Sequence, residues 1–472
     1  MRWRVILGNG LAVVLLGFPY LLLGLEATRS GFLSNDHAYL IEKALMVRDR
    51  GRLEWIGFAY PPLPVGLLLP WPSPYGAVVL SSLCAGALAW GVWRSMGRLD
   101  LHPAVRAGLL LAVMVAPSSL FQATQSLSAT LGLLLFFAAW IQYLLFTRGE
   151  RTDAGFIAAL LISLGFLANF YAPFFAIAFA LTVPLFARLR SRAHLGAILL
   201  ILTFPSLATV GSWAYLSWLF TGDPLRFVFD PSSSLLAAFR PEEAFLTADA
   251  IARESMQRLL ATPFYLGVGM LIACYQVRRL PAYLIPVALD LSAWSMGWAV
   301  PQPFDRSLRL LFAISGIPAR TPRRLGGLLL LLALLQVAAD SSTLALGEPA
   351  RWWRTLNVGP LPEDQVEQRV AQYLAQLPCG SVLTDDREAF RLIARAGTAC
   401  PFVLPPDPIF EMAVVAPERF VSYVFVAEHP TRLPGPLEAR YRDRPPKGFV
   451  TELSWPGWRL YRRIASEKPD LY

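Results

Sequence analysis

The sequence predicts an all-α, polytopic membrane bundle followed by a small α/β soluble domain. Hydrophobic residues make up 55% of the 472 residues, charged residues only 16%, and the mean hydropathy is +0.47. This composition is typical of a chain that lies largely in lipid. Long apolar runs recur up to residue 340, and after it charges and prolines return without a further run of that length. We therefore predict a membrane domain, 1–340, and an extracytoplasmic domain, 341–472.

The membrane domain contains about eleven apolar runs, each long enough to cross the hydrocarbon layer or to do so when packed inside a bundle. The first run follows Arg2 and Arg4, as a signal peptide would, but it is longer than a typical signal-peptide core and lacks a convincing cleavage site. We interpret it as the first transmembrane helix. The runs are Val5 to Leu25, Tyr75 to Trp93, Val105 to Leu120, Leu127 to Thr147, Ala154 to Asn169, Tyr171 to Ala187, Leu195 to Phe220, Pro263 to Val277, Pro281 to Val300, Ser307 to Ile317 and Leu325 to Ala339.

The net charge of +9 reflects membrane topology and not nucleic-acid binding, because the basic residues fall in short connections between apolar runs. By the positive-inside rule these connections and the N-terminus are cytoplasmic, in a plasma-membrane protein. The long polar connections 26–74 and 221–262 and the C-terminal domain then lie outside. The arginines concerned are Arg2, Arg4, Arg94, Arg98, Arg106, Arg148, Arg151, Arg188, Arg190, Arg192, Arg278, Arg279, Arg320, Arg323 and Arg324.

The first outer loop carries the most informative polar residues. It contains Asp36 and His37, followed about two dozen residues later by Tyr60-Pro61-Pro62-Leu63. A carboxylate just outside a membrane helix can accept a proton from a hydroxyl group, and consecutive prolines stiffen the loop. The structural alternative is that Asp36 caps a helix over Ala38 to Arg48. For His37 the alternatives are an acid, a metal ligand or a local hydrogen-bond partner.

This combination resembles the C-type (GT-C) membrane glycosyltransferase superfamily, which includes the dolichyl-phosphate-mannose protein mannosyltransferases and the bacterial aminoarabinose transferase. The matching residues are Asp36, Tyr60-Pro61-Pro62-Leu63 and the segment Gly222-Asp223-Pro224 after an apolar run. The resemblance implies inverting transfer of a sugar from a polyprenyl-phosphate carrier to an acceptor hydroxyl at the outer face. It implies that Asp36 is the general base. The acceptor would be a glycan, a lipid or a protein.

No Asp-x-Asp pair accompanies Asp36, because Ser34 occupies that place, so we expect metal-free transfer without a cofactor. Arginines at the outer face are then the natural partners of the donor phosphate. Arg306 and Arg309 are the best placed, and Arg226 is a further candidate. For the first two, the structural alternative is snorkelling to lipid headgroups or pairing with Asp305.

Two further residues, Asn169 and Tyr171, form a polar turn between apolar runs and are candidates for the sugar pocket. Polar residues are also common in turns for purely structural reasons. His37 and Tyr60 complete the set of candidate binding residues beside Asp36.

The C-terminal domain alternates strand and helix patterns. Strands are predicted at Ser381 to Asp385, Pro401 to Leu404 and Val421 to Ala427, and Pro456-Gly457 predicts a hairpin. Asp385-Asp386 is expected to cap the following helix or to bind an acceptor. Cys379 and Cys400 each precede a strand of one strand-helix-strand unit, so they are either a disulfide or two free thiols. We expect the domain to bind the acceptor or to cover the active-site cavity.

Two other classes of protein fit a many-helix bundle with few charges at membrane level. One is a lipid-linked sugar transporter or flippase, for which an internal repeat of helices would be the signature, and none is evident. The other is a non-catalytic scaffold of a polysaccharide export system. A catalytic role of Asp36 would distinguish the glycosyltransferase from the transporter and the scaffold.

Overall fold

The computed structural model describes residues 2–52, 58–149, 151–186, 192–230, 253, 256–277, 280–296, 298, 300–318, 321–429 and 435–464. The chain divides into two compact units. The first unit comprises Met1–Glu26, Phe58–Pro64 and Val78–Leu356, and the second comprises Ala27–Gly57, Val65–Ala77 and Asn357–Tyr472. The first outer loop thus belongs largely to the second unit. The assignment of catalysis to residues 1–340 stays a prediction.

Helices make up the first unit wherever the structure describes it. Four of the described helices cross a unit boundary: α1 (Arg2–Arg29), α3 (Pro62–Leu68), α4 (Pro74–Met96) and α17 (Gly347–Val358). The others are α5 (Pro103–Val115), α6 (Pro117–Gln125), α7 (Leu127–Gly149), α8 (Thr152–Ala168), α9 (Ala172–Phe186), α10 (Arg192–Thr221), α11 (Arg226–Phe229), α12 (Pro263–Gln276), α13 (Leu280–Tyr283), α14 (Ile285–Ser295), α15 (Gln302–Gly316) and α16 (Gly326–Asp340), with 3₁₀ turns at Arg323–Leu325 and Ser341–Ala345.

The predicted count of about eleven membrane spans is not confirmed by helix length and composition alone. Within the described residues, five helices are long and apolar enough to cross a membrane, or six if one bent pair is a single span. Three shorter apolar helices, Thr152–Ala168, Ala172–Pro184 and Pro263–Gln276, fall below that length. The five spans are Gly8–Arg29, Pro74–Met96, Leu127–Thr147, Leu195–Thr221 and Arg323–Ala345.

Proline explains why the apolar run Val105 to Leu120 is not one straight helix. The run breaks between α5 and α6 at Ala116, and the two helices are bent by 60°. Pro117 has no backbone N–H and its ring conflicts with the preceding turn, so α5 ends and α6 begins there. A single apolar run in the sequence therefore need not form a single straight helix.

Aromatic side chains form much of the core of the first unit. Phe136 stacks on Phe175 and Trp140 on Phe312, each with ring centroids 4.3 Å apart, and Trp140 donates to Ser315 Oγ at 2.8 Å. Offset stacking of this kind adds to the dispersion energy of close packing. The contacts tie α7 to α9 and α15.

The second unit contains a five-stranded mixed sheet in the order β2-β1-β3-β5-β4. The strands β1 and β2 pair in parallel, as do β1 and β3, whereas β5 is antiparallel to both β3 and β4. The partly parallel α/β arrangement predicted for the C-terminal region is therefore present. The strands are β1 (Val382–Leu383), β2 (Phe402–Val403), β3 (Tyr423–Ala427), β4 (Phe449–Trp455) and β5 (Trp458–Arg463).

The turn between β4 and β5 follows directly from its sequence. Trp455 pairs with Trp458, and the two residues between them are Pro456 and Gly457. Gly457 has φ +85°, which glycine adopts without the steric cost that a Cβ would bring. Proline followed by a left-handed glycine is the signature of a type II turn. The predicted hairpin forms, with Pro456-Gly457 as its turn.

Helices of the second unit include two from the first outer loop. These are α2 (Asn35–Arg50) and α3 (Pro62–Leu68), of which α3 begins in the first unit. Tyr39 on α2 stacks on Phe390 of α19, with ring centroids 3.6 Å apart and planes 7° from parallel. The C-terminal helices are α18 (Pro362–Leu374), α19 (Asp386–Ala396), α20 (Phe410–Val415), α21 (Pro417–Phe420) and α22 (Pro436–Tyr441).

Some residues used for the topology prediction lie outside the described part of the chain. They are Arg188, Arg190, Arg278, Arg279, Arg320 and most of the outer loop 221–262, namely residues 231–252 and 254–255.

Candidate functional site

The predicted general base, Asp36, lies in the first turn of α2. The helix begins at Asn35, and Ser34 is its N-cap, with its hydroxyl accepting a hydrogen bond of 3.2 Å from the His37 backbone N–H. The cap that we considered for Asp36 is therefore supplied by Ser34, and the helix starts earlier than Ala38. Asp36 is partly exposed. The positive end of the helix dipole favours a negatively charged side chain at this position.

His37 lies next to Asp36 in the chain but in a buried environment. Its side chain is 1% exposed, and Nε2 has no hydrogen-bond partner among the described residues. Burial lowers the pKa of His37 from 6.5 to about 3. The imidazole is therefore neutral at physiological pH, because burial disfavours the charged form. A neutral, buried ring cannot supply positive charge to a phosphate, so the structure favours a packing role for His37.

A buried charge cluster that the sequence analysis missed lies two turns after Asp36 along α2. Lys43 Nζ is 2.7 Å from Asp386 Oδ2 and 3.2 Å from Glu42 Oε2. Burial opposes the charge on Lys43, but the attraction of Asp386 and then Glu42 outweighs it and raises the pKa of Lys43. Burial raises the pKa of Glu42 to about 7, although Lys43 acts against this. The cluster thus approaches neutrality when Glu42 holds a proton.

The chain has only three lysines, Lys43, Lys447 and Lys468, and Lys43 lies within an otherwise arginine-rich sequence. The rarity of lysine was the only feature of the sequence that singled out Lys43. It does not reveal that the ion-pair partner of Lys43 is Asp386, 343 residues away. Asp385, the neighbour of Asp386, behaves as predicted for a capping residue. It is the N-cap of α19 and accepts a hydrogen bond of 3.0 Å from the Arg387 backbone N–H.

Two arginines of α19 bind the backbone just before α2. Arg391 Nη1 donates to the Leu33 carbonyl at 2.6 Å, and Arg395 Nη1 donates to the Gly31 carbonyl at 2.8 Å. The same guanidinium groups form ion pairs with Asp364 and Glu367 of α18, at 2.7 to 3.1 Å. Each fork therefore bonds to a carboxylate and a carbonyl together, which the planar guanidinium geometry allows.

The far end of α2 has a matching set of contacts. Arg50 Nη2 is 2.8 Å from Asp407 Oδ2 and donates to the Phe402 carbonyl at 2.9 Å. Asp49 Oδ2 accepts from the Ala399 backbone N–H at 2.7 Å. Both ends of α2 are thus fixed within the second unit.

Tyr60 belongs to the first unit and is buried, with 6% of its surface exposed. Pro62 is the first residue of α3, a position that suits proline because its missing N–H has no helical partner there. The Tyr-Pro-Pro-Leu element therefore marks the start of a short helix.

Arg309 is held in a buried network inside the first unit. Its guanidinium lies 2.8 Å from Asp305 Oδ1, also contacts the Asp290 carboxylate, and is 1% exposed. Arg258 Nη1 approaches both carboxylates, at 3.7 and 3.8 Å. Pairing with Asp305 was the structural alternative for Arg309, and this is the arrangement found. Two of its three guanidinium nitrogens, Nε and Nη2, are thus bound to protein carboxylates, whereas Nη1 has no hydrogen-bond partner among the described residues.

Arg306 and Arg226 also form ion pairs, but their side chains are more exposed. Arg306 Nη1 is 3.3 Å from Asp340 Oδ1 and donates to Thr343 Oγ1 at 2.9 Å, with 16% of the side chain exposed. Arg226 Nε is 3.0 Å from Asp230 Oδ2, and 41% of its side chain is exposed. Of the three arginine candidates, Arg226 has the most accessible guanidinium.

Asn169 and Tyr171 form the turn that the sequence predicted between two helices. Asn169 Oδ1 accepts a hydrogen bond of 3.0 Å from the Tyr171 backbone N–H, an Asx turn. Asn169 is 9% exposed and Tyr171 7%. The hydrogen bond gives the Asn169 side chain a structural role, and the Tyr171 ring packs near Phe174 and Phe304. A role of either residue in a sugar pocket stays a prediction.

The structure contains a disulfide between Cys379 and Cys400, whose Cα atoms are 4.7 Å apart. The bridge lies where the parallel strands β1 and β2 begin. Cys84 and Cys274 are free thiols. Among the described residues, no three His, Cys, Asp or Glu side chains come together as a metal site would require. Metal-free transfer stays a prediction.

Comparison with known proteins identifies the fold. ArnT from Cupriavidus metallidurans bound to undecaprenyl phosphate aligns over 98% of both chains with a TM-score of 0.61 and 12% identity. The apo form of the same protein aligns over the same shares with a TM-score of 0.55 and 10% identity. Arabinofuranosyltransferase AftD from Mycobacteria aligns at a TM-score of 0.48 and 16% identity, over 96% of this chain and 40% of its own.

The alignment to ArnT runs through both units of the chain. The chain therefore has the fold of the GT-C membrane glycosyltransferases. No family model matches the sequence, and no curated protein matches it either.

Proposed function

We propose that this protein is a membrane-embedded glycosyltransferase that moves a sugar from a polyprenyl-phosphate carrier to an acceptor hydroxyl at the outer face of the membrane. The observation that carries the proposal is the GT-C fold with a partly exposed aspartate, Asp36, in the first turn of the outer-loop helix α2. ArnT, the similar solved structure, was obtained with undecaprenyl phosphate bound. That ligand supports a polyprenyl phosphate as the carrier here.

In the proposed reaction the ionised carboxylate of Asp36 accepts the proton of the acceptor hydroxyl. The oxygen forms a bond to the anomeric carbon from the face opposite the phosphate. The bond between that carbon and the phosphate oxygen breaks, and the polyprenyl phosphate leaves with the electron pair. The product has inverted configuration. A positioned general base typically contributes a factor of about 10² to 10⁴ in rate.

The leaving phosphate needs positive charge close to it. Arg226 is our first candidate because its side chain is the most exposed of the three and forms an ion pair with Asp230. Arg306 is the second candidate. Arg309 already contacts two carboxylates, so we assign it to holding α15 against α14.

The outer location of the second unit is part of the proposal. Disulfides persist in oxidising compartments outside the cytoplasm, and the Cys379–Cys400 bridge suits such a location. The cytoplasmic N-terminus rests on the arginine distribution along the chain.

The test replaces Asp36 by Asn in protein reconstituted into vesicles with a panel of synthetic polyprenyl-phosphate sugars and hydroxyl acceptors. Asp36→Asn keeps the shape but removes the base, so we expect turnover to fall by about 10² to 10⁴-fold with carrier binding retained. Asp443→Asn is the matched control, because Asp443 is 82% exposed and lies in the same unit.

Unchanged turnover in Asp36→Asn would remove Asp36 as the base. If the protein transfers no sugar from any carrier in the panel but moves the carrier across the bilayer, it is a transporter and not a glycosyltransferase.

A further inference from the structure

The contacts that hold α2 come from the C-terminal region of the same unit, and they involve residues before and after Asp36 in the chain. We propose that α18 and α19 position Asp36 for the reaction, through the Lys43–Asp386 ion pair and through Arg391 and Arg395. This inference rests on the proposed function. It replaces acceptor binding or cavity covering as the main role of the C-terminal region.

The first step of the argument concerns the backbone that leads into α2. Arg395 and Arg391 bind the carbonyls of Gly31 and Leu33, and Ser34 is the N-cap. Asp36 follows two residues after the cap. Two fixed carbonyls and a capped first turn leave its Cα little freedom to move. Side chains that do chemistry need such support, because a displacement of about 1 Å can cost about a hundredfold in rate.

The second step concerns the rotation of α2 about its own axis. Lys43 lies two turns after Asp36 and reaches Asp386 at 2.7 Å, with both side chains at most 8% exposed. Tyr39, one turn after Asp36, stacks on Phe390 of the same α19 helix. A buried ion pair and a stacked ring together fix which face of α2 meets α19. Asp36, Tyr39 and Lys43 are spaced i, i+3 and i+7 and therefore share one face of α2, so the two contacts also fix the direction in which Asp36 projects.

The third step is that the buried Lys43–Asp386 ion pair is not explained by a gain in folding stability alone. Replacing a buried ion pair by apolar side chains of similar size is often neutral or stabilising, whereas removing one partner leaves an uncompensated charge. Buried polar pairs are best attested as devices that specify one register of packing. That is the property a helix carrying a base would need.

The experiment measures hydrogen exchange of the peptide covering residues 35–50, together with kcat and the KM for the carrier. In Asp386→Asn and in Arg391→Lys we expect exchange to accelerate at least about tenfold and kcat to fall about a hundredfold, with KM nearly unchanged. Asp443→Asn and Lys447→Met are matched controls on exposed residues of the same unit. The triple variant Glu42→Gln/Lys43→Met/Asp386→Leu removes the whole cluster of ionisable groups, so we expect its thermal unfolding midpoint to recover towards that of wild type. Its kcat should stay about a hundredfold low, because an apolar pair no longer specifies the register of α2 on α19, and a wild-type kcat in this variant would overturn the role of the ion pair.

Faster exchange with wild-type kcat would overturn the positioning role, and so would unchanged exchange in both single variants. Arg391→Lys keeps the test decisive if Asp386→Asn does not fold, because the lysine retains the charge but cannot bond to the carboxylates and the carbonyl together. If Asp36→Asn keeps full turnover, the proposed function fails independently. The exchange measurements then still decide whether α19 holds α2, and α2 would hold no catalytic group.

Discussion

Asp36 and His37 are neighbours in the chain, yet one is partly exposed and the other buried. Consecutive residues of an α-helix project about 100° apart, so a helix lying on a surface separates them. The sequence indicates this division only if the helix start and the buried face are both known. We placed the start at Ala38, and the helix begins at Asn35.

Because His37 is buried in its neutral form, it makes the second unit sensitive to acid. Its pKa is about 3 when folded and near 6.5 when exposed, so below pH 6.5 the unfolded chain binds a proton that the folded chain does not. Stability is therefore fully present above pH 6.5 and is lost as the pH falls towards 3.

We expect His37→Gln to flatten the fall in stability between pH 6 and pH 4 by roughly 1.4 kcal/mol for each pH unit. Thermal unfolding of the solubilised protein across this range measures the slope. His429→Gln serves as the control, since His429 is exposed. An identical slope in wild type and His37→Gln would mean that the imidazole is not buried.

At the scale of elements, local signals predicted most of the second unit. The hairpin over Phe449 to Trp455 and Trp458 to Arg463 forms as predicted, because Pro-Gly fixes its turn and register. The strand predicted at Ser381 to Asp385 is shorter and covers only Val382–Leu383. Asp385 lies outside the strand because it is the N-cap of α19. Its side-chain hydrogen bond to the backbone of that helix is incompatible with a longer strand at this end.

Long-range pairs were not predictable in the same way. Arg309 was identified from its place after a turn, but its burial between Asp290 and Asp305 depends on how α14 packs against α15. Lys43 and Asp386 carry no local sign of their pairing. Sequence patterns indicate the periodicity and the ends of a helix or strand. They do not indicate which faces of two distant elements pack together.

The Cys379–Cys400 bridge closes a loop that contains β1 and α19, with a sequence separation of 21 residues. A crosslink over a loop of this size typically stabilises a domain by about 3 kcal/mol, because it restricts the unfolded chain. We expect Cys379→Ser/Cys400→Ser to lower the unfolding midpoint of the second unit, measured by exchange in β1 and β2.

The same loss of stability should follow when the wild-type protein is reduced, and reduction should have no further effect on the double variant. An unchanged midpoint in the variant would argue against a bridge in the folded protein.

At the scale of the whole molecule, the sequence predicts the membrane class and the fold, whereas the count of about eleven spans stays a prediction, with five clear spans among the described residues. Composition and periodicity identify apolar helices, whereas prolines and short connections decide how many of them cross the bilayer. The runs after Pro263 form several helices, including α13 with four residues and α14 with eleven. Length alone does not distinguish a short span from a helix packed inside the bundle.

The predicted orientation is open to a direct measurement by cysteine labelling. In a background with Cys84→Ala and Cys274→Ala, we expect an impermeant maleimide to label Lys447→Cys in intact cells. Arg151→Cys, on the predicted cytoplasmic side, should react only after the membrane is permeabilised, since its native side chain is 61% exposed. Labelling of both sites in intact cells, or of Arg151→Cys alone, would contradict the topology.

The pairing of Lys43 with Asp386 has a consequence for biosynthesis. Ribosomes add residues in order, so α2 leaves the translocation channel long before α19 exists, with 343 positions still to be made. During that interval α19 is absent, so the side chains of Glu42 and Lys43 are not yet buried and stay in contact with water. The helix α2 is fixed only after α19 has been synthesised. A nascent chain would therefore place Asp36 for the reaction only at the end of synthesis.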